Sequence, residues 1–232
     1  MKFALLGYGR MGKAIEQIAL ERGHNIVCKV DKNLNEGKLK EADVAINFSI
    51  PDAAVENINR ALNQEVPVVC GTTGWLDAYH RVTQNAHDNN TAFLYSSNFS
   101  IGVNLFFKLN KVLAQMMLPH KEYIVSIEEK HHIHKLDAPS GTAITLAEGI
   151  IENSDLNKWS ISKETKDSVF IQSLREGEIP GIHSIKYKSL IDEIKIEHKA
   201  HNREGFAVGA VIAAEWIVGK KGIFKMDDIL NL

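Results

Sequence analysis

The stretch between Glu129 and Thr142, EKHHIHKLDAPSGT, gathers most of the side chains that could do chemistry. Three of the ten histidines and a lysine lie within residues 131–135, which we call the histidine cluster. A proline follows, and a helix is predicted to begin at Gly141 with Ser140 as its N-cap. Titratable side chains beside the backbone N–H groups of a helix start suit a doubly anionic ligand that accepts a proton.

A second candidate site is the glycine loop, residues 7–12, whose sequence GYGRMG fits the G-x-G-x-x-G pattern. In such a loop the first glycine permits a tight turn and the second lets the backbone approach a pyrophosphate. The third lets the following helix pack on the strand. Asp31 comes 19 residues after Gly12, at the end of a predicted second strand, where a Rossmann unit keeps its ribose-binding carboxylate. The spacing therefore predicts a dinucleotide site.

Lys32 leaves the cofactor open between NADH and NADPH. An acid alone favours a free 2′-hydroxyl, whereas a neighbouring cation can accept a 2′-phosphate. Lys32 could equally well be a solvated loop residue that does not contact the cofactor. Two further polar segments, residues 71–74 and 96–100, end predicted strands. Ligands of open parallel sheets lie beyond the carboxyl ends of the strands, so both segments should face the cofactor.

Three interpretations of the histidine cluster follow from the residues. A metal site would use His132, His134 and Asp137, but their spacing does not match the H-x-H-x-D-H pattern of metallo-hydrolases, and the adjacent lysine repels a cation. The second interpretation is an exposed polar loop without chemistry. The third is acid–base and anion recognition beside a nicotinamide, because a histidine can supply a proton in concert with hydride transfer. We favour the third and predict no metal.

The elements that position these segments follow two patterns. Residues 1–99 alternate strand and helix, which is typical of a Rossmann-like parallel sheet, although only about a dozen residues join the second and third strands. We expect an abbreviated connection there instead of a full helix. After a long helix over residues 101–117, a strand at 123–129 leads into the cluster. Three β-like runs at 168–174, 182–188 and 193–198 then follow like a meander.

The predicted fold class is therefore α/β, with an inserted α+β domain that carries a mixed or antiparallel sheet. A buried helix over residues 206–218 should return to the first sheet. Residues 1–99 and 206–232 would form the dinucleotide-binding domain, and residues 100–205 the substrate-binding and oligomerisation domain. An exposed face of the second sheet would offer a surface for self-association.

Composition narrows the class of protein. The chain has 232 residues, of which 44% are hydrophobic and 24% charged, as in an ordinary soluble globular protein. The formal charge of −2 offers no electrostatic reason to expect nucleic acid or an anionic membrane. No run approaches the ~20 apolar residues of a membrane span. Cys28 and Cys70 lie in apolar runs, so we expect reduced core thiols in a cytoplasmic protein.

The segment from Glu129 to Ala143, EKHHIHKLDAPSGTA, closely resembles the signature of the 4-hydroxy-tetrahydrodipicolinate (dihydrodipicolinate) reductase family. Similar motifs recur along nearly the whole chain, in GRMG, GTTG, NFSIGVN and the closing apolar helix followed by DDIL. The glycine loop is one residue shorter than the common G-x-x-G-R-M-G form. The resemblance implies NADH- or NADPH-dependent reduction of 4-hydroxy-tetrahydrodipicolinate to tetrahydrodipicolinate, with loss of water, in diaminopimelate and lysine biosynthesis.

The resemblance implies a role for each matching residue of the first domain. The pyrophosphate would be cradled by the glycine loop, made of Gly7, Tyr8, Gly9, Arg10, Met11 and Gly12. The adenosine ribose would be read by Asp31 and Lys32. The nicotinamide half would be lined by Gly71, Thr72, Thr73, Ser97, Asn98, Phe99 and Ser100.

The resemblance also implies roles in the histidine cluster and the helix that follows. His131 would be the acid/base, Lys135 the proton donor and His132 a substrate contact. Gly141 and Thr142 would bind one carboxylate of a small dicarboxylate substrate. The family further implies a homotetramer, and a domain closure that brings His131 and Lys135 over the nicotinamide.

Some residues and alternatives stay open. We assign no role to His134, and Arg203 could either orient a ligand or serve as a helix-start charge. A nicotinamide-binding sensor without catalysis would keep the same fold, and a dehydrogenase for another small acid would keep the same cofactor site. A thiol-dependent enzyme is disfavoured, because both cysteines lie within predicted strands.

Overall fold

The fold is that of a computed structural model, which describes residues 1–163, 165, 167–202 and 204–231. Arg203, considered above as a ligand contact, lies outside the described residues. The chain divides into two compact units. Unit 1 comprises Met1–Ile101 and Glu204–Leu232, and unit 2 comprises Gly102–Arg203. The assignment of the first unit to the dinucleotide and of the second to substrate and oligomerisation stays a prediction.

The strands are, in chain order, β1 (Lys2–Leu6), β2 (Asn25–Asp31), β3 (Leu34–Gly37), β4 (Val44–Asn47), β5 (Val68–Cys70), β6 (Ala92–Tyr95), β7 (Ile124–His131), β8 (Lys158–Ser160), β9 (Ser168–Arg175), β10 (Ile182–Lys188), β11 (Glu193–Lys199) and β12 (Gly222–Phe224). The helices are α1 (Arg10–Glu21), α2 (Pro51–Leu62), α3 (Tyr79–Asp88), α4 (Ile101–Met117), α5 (Gly141–Ile151), α6 (Glu204–Ile217) and α7 (Met226–Leu230). In the part of the chain that the structure describes, no helix is both long and apolar enough to cross a membrane.

Unit 1 is built on a seven-stranded sheet with the order β12-β6-β5-β4-β1-β2-β3. Every neighbouring pair is parallel except β2 and β3, which form an antiparallel hairpin. Side chains alternate across the sheet, so Phe3 and Leu5 join a core with α1 and α6, whereas Ala4 and Leu6 join a core with α2 and α3. The predicted Rossmann-like sheet and the returning helix are confirmed.

The link between β2 and β4 is abbreviated, as predicted, but it contains strand β3 and a 3₁₀ turn at Leu39–Glu41. We did not predict this strand, because its sequence LNEG has no apolar alternation and is not buried against a core. Cys28 and Cys70 are both buried and free of disulfide bonds, as expected.

Unit 2 contains a five-stranded mixed sheet with the order β11-β10-β7-β9-β8. The central strand β7 pairs antiparallel with β10 and parallel with β9. The predicted mixed sheet is confirmed, but the meander order is wrong, since β9 and β10 lie on opposite sides of β7. Helices α4 and α5 pack on one face, where Phe106 and Leu146 meet Ile127 and Ile185. Strand β7 therefore delivers the histidine cluster from the middle of the sheet.

Candidate active site

The glycine loop connects β1 to α1 and has the backbone geometry that a dinucleotide site needs. Gly7 has φ of 98°, and a Cβ there would stand 2.2 Å from the carbonyl oxygen of Phe48. A Cβ at Gly12 would stand 2.3 Å from the carbonyl oxygen of Gly7. Around Gly9, no described atom lies within 4 Å of the Cβ position. The packing thus requires glycine at both ends of the loop and leaves the middle of its backbone open to a ligand.

Asp31 reaches this loop from the end of β2. Its Oδ1 accepts a hydrogen bond from the backbone N–H of Lys32 at 2.6 Å, and its Oδ2 accepts one from the N–H of Tyr8. These two hydrogen bonds lower the pKa of Asp31, so the carboxylate is charged at neutral pH. The Asp31 and Lys32 side chains are both exposed at the sheet edge. The placement fits ribose recognition, and the role itself stays a prediction.

An ion pair that we did not predict fixes the tyrosine of the loop. Nζ of Lys29 lies 2.6 Å from Oε1 of Glu16 and 4.7 Å from the centre of the Tyr8 ring. The Tyr8 hydroxyl donates to Oε2 of Glu16, and this hydrogen bond raises the pKa of Tyr8. No sequence pattern links these residues, since they come from the loop, α1 and β2.

The two predicted strand-end segments follow neighbouring strands of unit 1. After β5, Oγ1 of Thr72 accepts a hydrogen bond from the N–H of Ser49 at 2.9 Å. After β6, Oδ1 of Asn98 accepts one from the N–H of Ser100 at 2.9 Å. Parallel strands place their carboxyl ends at one edge, so both segments share that edge with the glycine loop, and their contact with a cofactor stays a prediction.

The residues of these segments differ in what they can offer a cofactor. Thr73 and Ser97 are exposed, whereas Thr72 is buried and Gly71 is packed against the Phe48 ring. The Phe99 ring is 1% exposed and lies in the core of unit 1, with its centre 5.6 Å from that of Phe48. This exposure is that of the whole residue, so neither the side chain nor the backbone of Phe99 is open to a ligand.

In unit 2, strand register gathers four charged or titratable side chains at the end of β7. Glu129 lies directly opposite His183 of β10, and His131 lies opposite Arg175 of β9. Oε2 of Glu129 is 3.0 Å from Nδ1 of His131 and 3.8 Å from Nε2 of His183. Oε1 of Glu129 accepts from the guanidinium of Arg175 at 3.1 Å. We call these four residues the Glu129 network.

Burial and hydrogen bonding act in opposite directions within this network. Burial by itself would raise the pKa of Glu129, but hydrogen bonds from His131, Ser140 and Arg175 lower it, so Glu129 is ionised. Burial lowers the pKa of His183 to about 4, so this histidine is neutral at neutral pH. The network therefore holds one buried carboxylate between the neutral His183 and the ring of His131.

Lys135 points to Asp137, and Arg175 secures the loop between them. Nζ of Lys135 lies 2.8 Å from both carboxylate oxygens of Asp137, and this pair lowers the pKa of Asp137. The guanidinium of Arg175 donates to the backbone carbonyl oxygens of Lys135 and Asp137. Arg175 thus couples the predicted proton donor to the Glu129 network.

The remaining predicted residues lie around the start of α5. Oγ of Ser140 accepts a hydrogen bond from the N–H of Ala143 at 3.2 Å, which confirms Ser140 as the N-cap. No described atom lies within 4 Å of the Cβ position of Gly141, so the helix start is open there. His132 is partly buried, whereas His134 is exposed and lies 3.3 Å from Glu178. The exposed position of His134 and its contact with Glu178 give no reason to assign it a catalytic role.

Glu129, His131 and His183 could in principle ligate a metal, because one potential ligand atom from each lies within 4.8 Å of the others. The Arg175 guanidinium occupies the second oxygen of the same carboxylate and opposes a divalent cation there. An acid–base network in which Arg175 holds the carboxylate fits these four residues better.

The sequence contained no signal for His183 or Arg175. Arg175 lies 46 residues beyond Glu129, and neither residue belongs to a motif. Glu129 lies in the segment that resembles the family signature, but the resemblance implied no role for it. An observation that could have drawn attention to it is a charged side chain on the apolar face of a strand that otherwise alternates.

Both halves of the chain match models of one protein family. A family model described as "Dihydrodipicolinate reductase, N-terminus" matches residues 1–99, and one described as "Dihydrodipicolinate reductase, C-terminus" matches residues 102–230. A 4-hydroxy-tetrahydrodipicolinate reductase of Christiangramia forsetii is 50% identical over 234 residues, which cover 100% of this chain and 98% of the relative. One of Methanoculleus marisnigri is 38% identical over 210 residues, covering 88% and 81%.

Solved structures show the same fold. A dipicolinate-bound dihydrodipicolinate reductase from Paenisporosarcina sp. TG-14 has a TM-score of 0.81 and 24% identity, and the match covers 97% of each chain. An engineered D-amino acid dehydrogenase bound to NADP⁺ has a TM-score of 0.53 and 14% identity, covering 97% of this chain and 93% of the other. The shared architecture thus extends beyond one reaction.

Proposed function

The chain belongs to the dihydrodipicolinate reductase family, and from that premise we propose how its residues carry out the reaction. It is an NAD(P)H-dependent oxidoreductase that reduces 4-hydroxy-tetrahydrodipicolinate to tetrahydrodipicolinate in diaminopimelate and lysine biosynthesis. A hydride replaces the 4-hydroxyl group, which leaves as water. Each turnover therefore consumes one proton as well as one hydride, so the site needs an acid.

Unit 1 would hold the cofactor, which supplies the hydride when bound. The open backbone at Gly9 suits the pyrophosphate, and the charged carboxylate of Asp31 suits the hydroxyl groups of the adenosine ribose. Tyr8, Arg10, Met11 and Lys32 would complete that half. Thr73 and Ser97 are exposed at the same sheet edge, where the nicotinamide half would lie beside Gly71, Thr72, Asn98, Phe99 and Ser100.

Unit 2 would supply the proton and hold the substrate. His131 would act as the acid/base and Lys135 as the proton donor, while His132 would contact the substrate. The N–H groups of Gly141 and Thr142 at the open start of α5 would bind one of the two carboxylates, helped by the helix dipole. A small dicarboxylate matches this combination of cations and backbone donors.

The observation that carries these roles is the 3.0 Å contact between His131 and the buried carboxylate of Glu129. It supplies an acid–base pair inside the segment that resembles the family signature most closely. A nicotinamide-binding sensor without catalysis would have no use for a buried carboxylate held against a histidine, because burying the carboxylate costs desolvation free energy.

We also propose self-association as a homotetramer and a cytoplasmic location. Leu190 and Ile191, at the turn between β10 and β11, are 107% and 93% exposed, and such apolar side chains are suited to a contact between subunits. Light scattering on the purified chain should give four copies per particle. Two buried thiols that form no disulfide suit a reducing compartment.

The deciding experiment couples dihydrodipicolinate synthase to this protein and follows nicotinamide absorbance with NADH and with NADPH. We expect oxidation that depends on both enzymes. Absence of oxidation with either cofactor would overturn the proposed reaction. Cofactor binding without oxidation would instead favour the sensor, which a fluorescence titration of NADH distinguishes.

A further inference from the structure

We infer that Glu129 is a positioning residue that holds His131 with its ring proton on Nδ1, so that Nε2 is the nitrogen that exchanges a proton with the substrate. This inference rests on the proposed function, because it specifies how the acid/base of that reaction is oriented. It assigns a role to two residues without one so far, Glu129 and Gly181.

The geometry of β7 directs Nδ1 of His131 to Glu129. The two residues are two positions apart on one strand, so their side chains lie on the same face. Oε2 of Glu129 and Nδ1 of His131 lie 3.0 Å apart; both atoms are buried and neither has a well-aligned hydrogen-bond partner among the described residues, so the contact between them is electrostatic. Glu129 is 0% exposed, so no water competes for the contact.

The surroundings keep Glu129 ionised and immobile. Its Oε1 accepts from the backbone N–H of Ser140 and from the guanidinium of Arg175, each at 3.1 Å. An ionised carboxylate only accepts hydrogen bonds, so the nitrogen of His131 that faces it must carry a proton. The tautomer of His131 is therefore set by Glu129.

His183 does not replace Glu129 as the group that sets the tautomer of His131. Nε2 of His183 lies 3.1 Å from Oγ of Ser140, and burial keeps the ring neutral at neutral pH by lowering its pKa to about 4. Its ring packs edge-on against His131, with the two ring centres 5.0 Å apart. His183 thus fills the space beside His131 without adding a second positive charge next to Glu129.

The opposite nitrogen of His131 faces Gly181. A Cβ at Gly181 would stand 3.2 Å from Nε2, closer than most contacts of a real Cβ. The side chain of His131 is 10% exposed, so a small loss of space on this side would cover it. The absence of a side chain at Gly181 therefore leaves Nε2 approachable.

The first test is direct observation of the tautomer by nitrogen NMR of protein labelled with ¹⁵N-histidine, with His131 assigned from the spectrum of His131→Gln. We expect neutral His131 in the wild type to carry its proton on Nδ1. A proton on Nε2 would overturn the inference. This measurement needs no substrate, so failure of the proposed reaction would leave its outcome unchanged.

The second test compares Glu129→Gln with the control Glu128→Gln. Glu128 lies next to Glu129 in sequence, on the other face of β7, 3.3 Å from Lys130. Glu129→Gln should lower kcat about 10- to 100-fold, as loss of an orienting carboxylate does elsewhere, and shift the alkaline limb of the kcat profile to lower pH. Glu129→Asp should restore part of the lost kcat and part of the pH shift. NADPH affinity should not change, which shows that the variants are folded.

Equal tautomer and pH profile in the wild type and Glu129→Gln would overturn the positioning role. If Glu129→Gln fails to fold, the wild-type NMR result and Gly181→Ala decide. Gly181→Ala should lower kcat while leaving the Nδ1 proton in place. Full activity of Gly181→Ala would contradict Nε2 as the exchanging nitrogen.

Discussion

Nζ of Lys135 lies 2.8 Å from both carboxylate oxygens of Asp137, and the Lys135 side chain is 22% exposed. The proposed proton donor is therefore held by an acid two residues away, in a loop that Arg175 fastens to β9 through two carbonyl oxygens. A dicarboxylate substrate that approaches Lys135 would compete with Asp137 for the same ammonium group. The pair thus holds the amino group of Lys135 in position before substrate arrives.

Replacement of this lysine tests its role as donor. Lys135→Ala should lower kcat by about 10²- to 10⁴-fold, the range of a lost general acid, and leave the affinity for NADPH unchanged. Steady-state kinetics and a cofactor titration measure the two quantities. Lys130→Ala is the matched control, since the Lys130 ammonium group pairs with Glu128 at 3.3 Å and forms no ion pair with a proposed site residue among the residues described. Turnover near wild type in Lys135→Ala would exclude Lys135 as the donor.

Two glycines of the loop should respond differently to the same substitution. Gly7→Ala should destabilise the protein by at least ~1–3 kcal/mol, because φ is 98° and the new Cβ would meet the Phe48 carbonyl oxygen at 2.2 Å. Gly9→Ala should fold normally but bind NADH more weakly, because its methyl group would enter the open space where the pyrophosphate is expected. Thermal unfolding measures the stability of Gly7→Ala, and a fluorescence titration measures the NADH affinity of Gly9→Ala. Unchanged NADH affinity in Gly9→Ala would contradict the proposed cradle.

Cofactor preference should depend on the two residues that end β2. Asp31→Ala should weaken NADH binding about 10- to 100-fold, since it removes a charged acceptor for the ribose hydroxyl groups. The same variant should lose less affinity for NADPH, because the carboxylate repels a 2′-phosphate. Lys32→Ala should weaken NADPH more than NADH. Lys38→Ala, a lysine paired with Glu41 at 3.5 Å, serves as the control. Equal effects on both cofactors would argue against ribose recognition at this position.

The neutral state of His183 should appear in the pH dependence of stability. Its pKa is about 4 in the folded protein and near 6.5 in the unfolded chain, so the unfolded state binds the extra proton first as the pH falls. Acidification from pH 6.5 to 4 should therefore cost up to about 3 kcal/mol of unfolding free energy. His183→Asn should lack this component, which urea denaturation at several pH values measures. Identical pH slopes in both proteins would contradict a buried neutral histidine.

Several features of the fold were predictable because they depend on local pattern. The first strand, the glycine loop and Asp31, which lies 19 residues after Gly12, follow one another at a fixed spacing. That spacing is set locally, by a tight turn and by the packing of a helix on a strand. Ser140 before an apolar run predicted both the start and the cap of α5. Strands β3 and β8 escaped prediction, since short polar edge strands depend on a neighbour and not on their own periodicity.

The residues of the candidate site likewise fall into those that the local sequence predicts and those that only the tertiary structure brings together. The local sequence was sufficient to locate His131, Lys135 and Gly141, because they lie in one continuous segment with a recognisable family signature. Tertiary structure alone decided that His183 and Arg175 join Glu129 and His131, because these contacts depend on the register of β10 and β9 against β7. A shift of one residue in either pairing would send the side chains to the other face. Spacing along a chain determines which residues are neighbours on one strand, whereas hydrogen bonding between strands determines which distant residues meet.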